Sequence, residues 1–207
     1  LRFSSMGDVA MTVPVLRCLV KKYPDAKITL ASKSIYKPIF KEFKTIDFFD
    51  VDFKSKYKGI QGLVSLFKDL KKIHPTHIAD LHSVLRTNAL YILFKIFFFK
   101  AKKVDKQRLE RKKLFKEKNK VFKPLTPMPY KYCEVFNKLG FSIDLTSHNF
   151  PDPLILGEKC QIALERFSTK RKWIGIAPFA SFNGKIYPLD LMQKVVSFLQ
   201  RDYLVFL

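Results

Sequence analysis

The sequence predicts an α/β protein with a parallel sheet built from βαβ units. Short apolar runs alternate with segments whose apolar residues recur every three or four positions, a pattern typical of parallel strands covered by helices. The chain has 207 residues, 47% of them hydrophobic, which is enough for a full hydrophobic core. A proline-containing interval follows residue 150 and the alternation then restarts, so we expect a second βαβ domain.

The first helix illustrates how the elements are assigned. Val9, Val13, Leu16 and Leu19 share one helical face, and Pro24 with the next residue ends the pattern. Applied along the first half of the chain, this reasoning predicts a strand at 1–3, a helix at 9–23, strands at 28–32 and within 46–53, a helix at 60–73, a strand at 77–81, a helix at 84–99 and a strand at 101–105.

The later elements lie on both sides of a break. A helix at 130–139 is closed by Gly140, and Pro151 and Pro153 exclude a continuous helix or inner strand from residues 142–157. A helix at 158–167, a strand and loop at 172–179, a helix at 188–201 and a strand at 202–207 complete the list.

These elements predict a domain at 1–150, a linker and connecting helix at 151–170, and the start of a second domain at 171–207. The chain begins with Leu1 after no more than a strand stub, and it ends within an apolar run. We therefore expect a fragment that lacks a few residues at its start and an unknown length after Leu207.

The chain is strongly basic. Its formal net charge is +21, from 31 Lys and 8 Arg against 18 acidic residues, and a lysine-dominated excess suits diffuse attraction to phosphates or anionic lipid better than base reading. Residues 100–123 hold twelve basic and three acidic residues. This Lys-rich run is either a solvated face or, with the apolar helix at 89–99, a surface for anionic headgroups.

Cysteine usage and hydropathy argue against several classes of protein. The three cysteines are far apart, which argues against a disulfide framework and for a reducing compartment. His74, His77 and His82 have no cysteine or HExxH context, so no metal site is expected. The longest apolar stretch, 89–99, is too short to span a membrane, and no secretory signal precedes it.

The first candidate site is the loop FSSMGDV at residues 3–9. Asp8 stands where a carboxylate can cap the following helix, but the loop also lies at the carboxyl edge of the sheet, where α/β proteins place ligands. There Asp8 could act as a general base for a hydroxyl. Ser5 and Gly7 are acceptor-side candidates, and a single glycine completes no phosphate-loop or dinucleotide motif.

Two further candidates follow strands. The loop at 176–188 offers Ser181 and Lys185 beside a helix start, where they could hold a diphosphate; the alternative is a surface turn. Asp80 and His82 end a strand and Arg86 lies one turn into the next helix, so all three could reach the same crevice. The alternative there is a structural Asp–Arg pair.

Three segments together carry a family resemblance. RFSSMGDVAMTVPVLRCLVKKYPDAKITL, IADLHSVLRT and WIGIAPFASFNGKIYPLDLM closely resemble glycosyltransferase family 9, the ADP-heptose:lipopolysaccharide heptosyltransferases. The resemblance implies a GT-B enzyme with two Rossmann-like domains, an N-terminal acceptor domain and a C-terminal nucleotide-sugar domain. The present chain would contain a complete or nearly complete first domain and the beginning of the second.

The resemblance also implies roles for single residues. Asp8 matches the family's catalytic base, and Lys185 and Ser181 match its phosphate loop, although Ala180 stands where a second hydroxyl is often found. The implied reaction is metal-independent and inverting, with no cofactor and with a nucleotide sugar, ADP-heptose, as donor.

The implied acceptor is a phosphorylated lipopolysaccharide precursor, and the implied location is cytoplasmic, peripheral to the anionic inner face of the cytoplasmic membrane. Two alternatives remain. The chain could be a basic module for nucleic acid or anionic surfaces, although no nucleic-acid motif accompanies its charge. It could also be a catalytically inactive GT-B relative.

Overall fold

The computed structural model describes residues 1–115, 122–148, 150–151, 155–165, 167, 170–180 and 182–207. The chain forms two compact units, Leu1–Phe150 and Pro151–Leu207. In chain order, the elements of the first unit are α1 (Met6–Ala10), α2 (Val13–Lys22), β1 (Ile28–Ser32), β2 (Ile46–Asp50), α3 (Gly59–Lys71), β3 (His77–Asp80), α4 (Leu85–Ile96), β4 (Lys100–Lys103), α5 (Arg108–Leu114) and α6 (Met128–Lys138).

The strands of the first unit are parallel. β1 pairs with β2, and β3 pairs with β4. Residues 1–3, the expected first strand, have no regular strand assignment but lie between these pairs: the Arg2 amide donates to Ala31 O, and the Leu81 amide donates to Leu1 O, both at 3.1 Å. The resulting order is β2, β1, residues 1–3, β3, β4. The predicted parallel α/β arrangement is confirmed.

The helix predicted at 9–23 is wrong as a single element. The structure has α1 and α2 with a break at residues 11–12. Pro14 has no N–H to donate to the carbonyl four residues earlier, so a continuous helix would leave that carbonyl unpaired. The Thr12 hydroxyl instead donates to Val9 O at 2.7 Å, which lets the chain turn between the two helices.

Apolar side chains cover both faces of this sheet. One buried cluster joins α2 and α6 to Leu30, and a second joins α3 and α4 to Ala31 and Ile78. Leu30 and Ala31 are consecutive in β1, and their side chains point to opposite faces as strand geometry requires. The sheet therefore lies between two helical layers.

The C-terminal unit repeats the pattern on a smaller scale. It contains α7 (Glu158–Glu165), β5 (Trp173–Gly175), α8 (Leu189–Leu199) and β6 (Leu204–Phe206), and β5 pairs with β6 in parallel. The helices and strands expected after residue 155 are thus present.

Short helices occur where the sequence indicated loops. A 3-10 helix spans Ser34–Phe40, another spans Leu145–Ser147 within the interval 142–157, and α5 lies within the Lys-rich run. Gly140, the second residue after α6, has φ +96°, as its predicted capping role requires. In the part of the chain that the structure describes, no helix combines the length and apolar character needed to cross a bilayer.

Candidate active site

Asp8 lies inside α1, not ahead of it as expected. Ser5 is the residue before the helix, and Asp8 is the third helical residue. The Asp8 carboxylate accepts a hydrogen bond from Ser5 Oγ at 3.2 Å and pairs with the Arg2 guanidinium. Among the described residues its partners are therefore side chains, and the reading of Asp8 as a helix cap is wrong.

Arg2 fixes the orientation of this carboxylate. Its side chain is 3% exposed and that of Asp8 is 35% exposed. Arg2 Nη1 donates to Leu81 O at 2.8 Å, while Nη2 faces Asp8. The guanidinium also lies 5.9 Å from the ring centre of Tyr132, whose hydroxyl donates to Asp8 O at 3.4 Å. The partly exposed Asp8 carboxylate is thus held by a buried cation, and the buried Tyr132 holds the Asp8 backbone carbonyl.

The carboxylate opens into a cleft of about 340 Å³. Residues from three parts of the first unit form its walls: the start of the chain with α1, the segment around α5, and residues 125–131 leading into α6. The lining residues are Arg2, Asp8, Lys106, Arg111, Leu125, Thr126, Pro127, Met128 and Lys131.

The cleft carries an excess of positive charge. Four cations and one carboxylate line it, and Asp8 already pairs with Arg2. Lys106, Arg111 and Lys131 form no ion pair with any residue that the structure describes. Lys131 is nevertheless buried, with only 5% of its surface exposed. Buried charges are normally paired, so this arrangement is suited to an anionic ligand.

Electrostatics at Lys106 agree with this picture. Burial lowers the pKa of Lys106, and the neighbouring Arg2 and Arg108 guanidinium groups lower it further, whereas Asp8 and Asp80 oppose the shift. An anion in the cleft would relieve this repulsion between cations.

Hydrogen bonds hold the walls of the cleft together. Thr126 N donates to Gln107 Oε1 at 3.2 Å, which ties the segment before α6 to the start of α5. Arg108 Nη2 donates to Ser83 O at 2.9 Å and anchors α5 on the loop after β3. The cleft is therefore defined by tertiary contacts between segments 19 to 25 residues apart.

Asp80 and His82 lie behind Arg2 and do not line this cleft. Asp80 is fully buried, and its Oδ1 accepts the His82 and Ser83 amides at 2.9 and 3.0 Å. His82 Nε2 lies 3.2 Å from Ser4 Oγ. Burial, followed by the charges of Arg2 and Lys106, lowers the pKa of His82 to about 3, so the imidazole is neutral at physiological pH.

The remaining first-unit candidates occupy different positions. Arg86 lies over the ring of Phe53 at 4.8 Å, and the Asp80–Arg86 pair weighed as an alternative is not among the ion pairs of the described residues. Ser5 contacts Asp8 directly. A Cβ added at Gly7 would meet no atom within 4 Å, so packing does not explain that glycine. Direct ligand contacts by these residues stay predictions.

In the C-terminal unit, Lys185 ends a 3-10 turn, Asn183–Lys185, four residues before α8. It is exposed, and its Nζ lies 5.7 Å from the ring centre of Phe182. Ser181 lies outside the described residues. Within the described residues, no group of three or more His, Cys, Asp or Glu side chains is placed to hold a metal ion.

The basic cleft is hard to predict from the sequence. Lys106 and Arg111 belong to the Lys-rich run, which predicted only a solvated or membrane-facing surface. Lys131 stands beside Tyr132 on the buried face of α6; a lysine on an apolar helical face is a signal that could have been noticed. Arg2 in an apolar strand stub is a second such signal.

Comparisons with known proteins support the fold. No protein-family model matches the chain, and no curated protein matches it. Among solved structures, a glycosyl transferase family 9 protein from Veillonella parvula matches with a TM-score of 0.70 and 20% identity, over 96% of this chain and 58% of that one.

Two structures of E. coli heptosyltransferase WaaC match less closely. The structure with ADP and the structure with ADP-2-deoxy-2-fluoro heptose each give a TM-score of 0.54 and 15% identity; this chain covers 62% and 64% of them and is itself covered to 96%. The chain thus spans 58 to 64% of the length of these structures. At such identities the likeness shows the fold: a mixed α/β chain with the architecture of family 9 glycosyltransferase structures over the part it covers.

Proposed function

We propose that this chain is the larger part of a glycosyltransferase that moves a heptose, or a related sugar, from an ADP-sugar to a phosphorylated lipopolysaccharide acceptor. The observation that carries the proposal is the Asp8 carboxylate, oriented by a buried Arg2 and facing a basic cleft, in a fold shared with family 9 structures. Two of those structures contain ADP or an ADP-sugar analogue.

In this proposal Asp8 is the general base. It takes the proton from an acceptor hydroxyl while the hydroxyl oxygen bonds to the anomeric carbon of the donor. The bond between that carbon and the diphosphate oxygen breaks, and its electron pair leaves with ADP. Attack from the face opposite the leaving group inverts the anomeric configuration. Ser5 and Arg2, both in contact with the carboxylate, keep it aimed at the incoming hydroxyl.

The unpaired cations of the cleft recognise the acceptor. A phosphate or carboxylate group on the acceptor would pair with Lys106, Arg111 and Lys131, and charge-assisted hydrogen bonds of this kind fix orientation as well as adding affinity. Since these cations and Asp8 line the same cleft, the anionic group of the acceptor would bind close to the reacting hydroxyl.

On the donor side, Lys185 neutralises charge on the diphosphate as ADP leaves, and Ser181 donates a hydrogen bond to it. These roles follow from the family resemblance of the loop at 176–188. No metal and no further cofactor take part. The acceptor is a membrane lipid, so the enzyme works at the anionic inner face of the cytoplasmic membrane.

The decisive experiment measures sugar transfer by the full-length protein, with ADP-heptose as donor and a phosphorylated lipopolysaccharide precursor as acceptor. Asp8→Asn should lower kcat on the order of 10²-fold or more, because it removes the proton acceptor. Asp47→Asn, an exposed substitution on β2, is the matched control and should leave kcat unchanged.

Two outcomes would reject the proposal. Turnover of Asp8→Asn within a few-fold of wild type would show that Asp8 is not the base. RNA binding that weakens steeply with salt, together with no response to nucleotide sugars, would identify a basic binding module instead.

A further inference from the structure

Helix α4 has an unusual distribution of apolar residues. Its inner face, with Leu90 and Phe94, is completely buried against the sheet. The opposite face carries Leu85, Ile92 and Ile96, all exposed, at the seven- and four-residue spacings that place them in one stripe. A surface helix normally has polar residues on that side, so the outer stripe needs a partner.

The residues after the helix add exposed apolar surface next to this stripe. Phe97 and Phe98 follow α4 directly, and Phe98 is 96% exposed. We call Leu85, Ile92, Ile96 and Phe98 the outer apolar stripe; Phe97 lies beside it, with its ring centre 5.2 Å from that of Phe67 in α3. Contiguous exposed apolar residues of this size mark sites of interaction with proteins or membranes.

Cations surround the stripe. Residues 81–104 contain five basic residues, Arg86, Lys95, Lys100, Lys102 and Lys103, and no acidic residue. Lys71 from the neighbouring α3 lies 4.8 Å from the ring centre of Phe97, and Lys103 lies 5.1 Å from that of Tyr91. An apolar stripe flanked by cations complements a surface that offers acyl chains below anionic headgroups.

We propose that the outer apolar stripe docks the first unit on an anionic lipid surface, with α4 lying flat in the headgroup layer. A helix held between a protein core and a bilayer needs two apolar faces with cations along the flanks, and this is the pattern of α4. The proposal deepens the proposed function, because the acceptor there is a membrane lipid.

The position of α4 relative to the cleft fits this orientation. The helix begins at the carboxyl end of β3, on the edge of the sheet that carries Asp8, and the loop before it is bonded to α5 at the wall of the cleft. It then runs for about 18 Å, at the usual rise per residue. Docking along its length would hold the cleft beside the headgroups.

The test measures binding of the full-length protein to vesicles by co-sedimentation, with either 30% phosphatidylglycerol in phosphatidylcholine or phosphatidylcholine alone. Wild type should bind the anionic vesicles, and binding should weaken as salt rises. Ile92→Ser combined with Ile96→Ser should lower the partition coefficient about tenfold, because two apolar side chains no longer enter the lipid.

Two further variants separate the contribution of the cations to vesicle binding from that of the outer apolar stripe. Lys95→Gln with Lys100→Gln should weaken binding to anionic vesicles and leave binding to neutral vesicles unchanged. Ile35→Ser is the matched control: Ile35 is 75% exposed on the 3-10 helix Ser34–Phe40, which packs on the other core cluster, and its replacement should change nothing. All substituted side chains are exposed, and unchanged thermal melting would confirm intact folding.

The proposal is overturned if wild type does not bind anionic vesicles, or if the Ile92→Ser/Ile96→Ser variant binds them as well as wild type. Concentration-dependent self-association that this variant abolishes, in place of vesicle binding, would also overturn it and identify a contact between copies. Sugar transfer is not part of the readout, so failure here and failure of the proposed function are distinguishable.

Discussion

The Arg2–Asp8 ion pair predicts that Asp8 contributes to stability, in addition to the catalytic role proposed for it. Asp8→Asn keeps an oxygen that can accept a hydrogen bond from Arg2, but it removes the negative charge. Besides that hydrogen bond, the buried Arg2 side chain keeps its hydrogen bond to Leu81 O and its contact with the ring of Tyr132. Its Nε has no partner among the described residues. Loss of the carboxylate therefore leaves a buried cation with incomplete compensation.

The expected loss in the free energy of unfolding follows from this geometry. Removing one partner of a fully buried ion pair costs about 3–5 kcal/mol. Asp8 is 35% exposed, so water replaces part of the lost interaction, and Asn still accepts one hydrogen bond. We expect Asp8→Asn to lower the free energy of unfolding by about 1–2 kcal/mol. For a protein of this size that corresponds to a decrease in Tm of roughly 2–8 °C.

A double-mutant cycle, followed by urea unfolding, measures the coupling energy between Arg2 and Asp8. Asp8→Asn, Arg2→Met and the double variant are compared with wild type, and the double variant should lose less stability than the sum of the single variants by about 1 kcal/mol, because neither charge is then left alone. A coupling energy below about 0.3 kcal/mol, within the usual additivity error, would show that the pair contributes nothing. Activity is measured well below the variant's Tm, so that unfolding cannot mimic loss of the base.

Three more predictions follow from buried groups. Lys131→Met should raise KM for a phosphorylated acceptor about tenfold with little change in kcat. It should not lower Tm, since an unpaired buried charge is removed. A KM equal to that of wild type would contradict acceptor recognition by Lys131. The folded pKa of His82 is about 3 and the unfolded value about 6.5, so below pH 6.5 the unfolded chain binds a proton that the folded chain does not. Between pH 7.5 and 5 the free energy of unfolding of wild type should therefore fall by about 2 kcal/mol more than that of His82→Gln. Urea unfolding curves that shift equally with pH for the two proteins would refute this. A Cβ at Gly62 would lie 2.2 Å from the Tyr57 carbonyl carbon, so Gly62→Ala should destabilise by about 1–3 kcal/mol, whereas Gly7→Ala should not.

Much of the fold could be predicted because it depends on local periodicity. The stripe of Val13, Leu16 and Leu19 identifies α2 by itself, and the apolar runs at 28–32 and 77–81 are strands of the confirmed parallel arrangement. The break between α1 and α2 was missed although Pro14 is visible in the sequence, because apolar periodicity continues across it. Proline at that position was a stronger signal than the pattern.

The candidate site was less predictable. Asp8 could be singled out because its loop follows the first strand, but its partner could not, since Arg2 and Asp8 meet only after the chain has turned between them. The cleft depends on contacts such as that between Gln107 and Thr126, 19 residues apart. The composition shows an excess of lysine, but it does not show which lysines face the cleft.

The structure divides that surplus between two places. Lys106 and Arg111 line the cleft beside Asp8, whereas Lys100, Lys102 and Lys103 lie on β4 next to α4. The run that the sequence indicated as one surface thus contributes cations both to the cleft and to the side of α4. Because the cleft and the start of α4 share the carboxyl edge of the sheet, the same arrangement favours a ligand that carries anionic groups and is itself embedded in an anionic layer. If the proposed function and the proposed docking both hold, the outer apolar stripe would bind the lipid layer while the cleft binds an acceptor embedded in it, and the positive charge in this part of the chain would favour both.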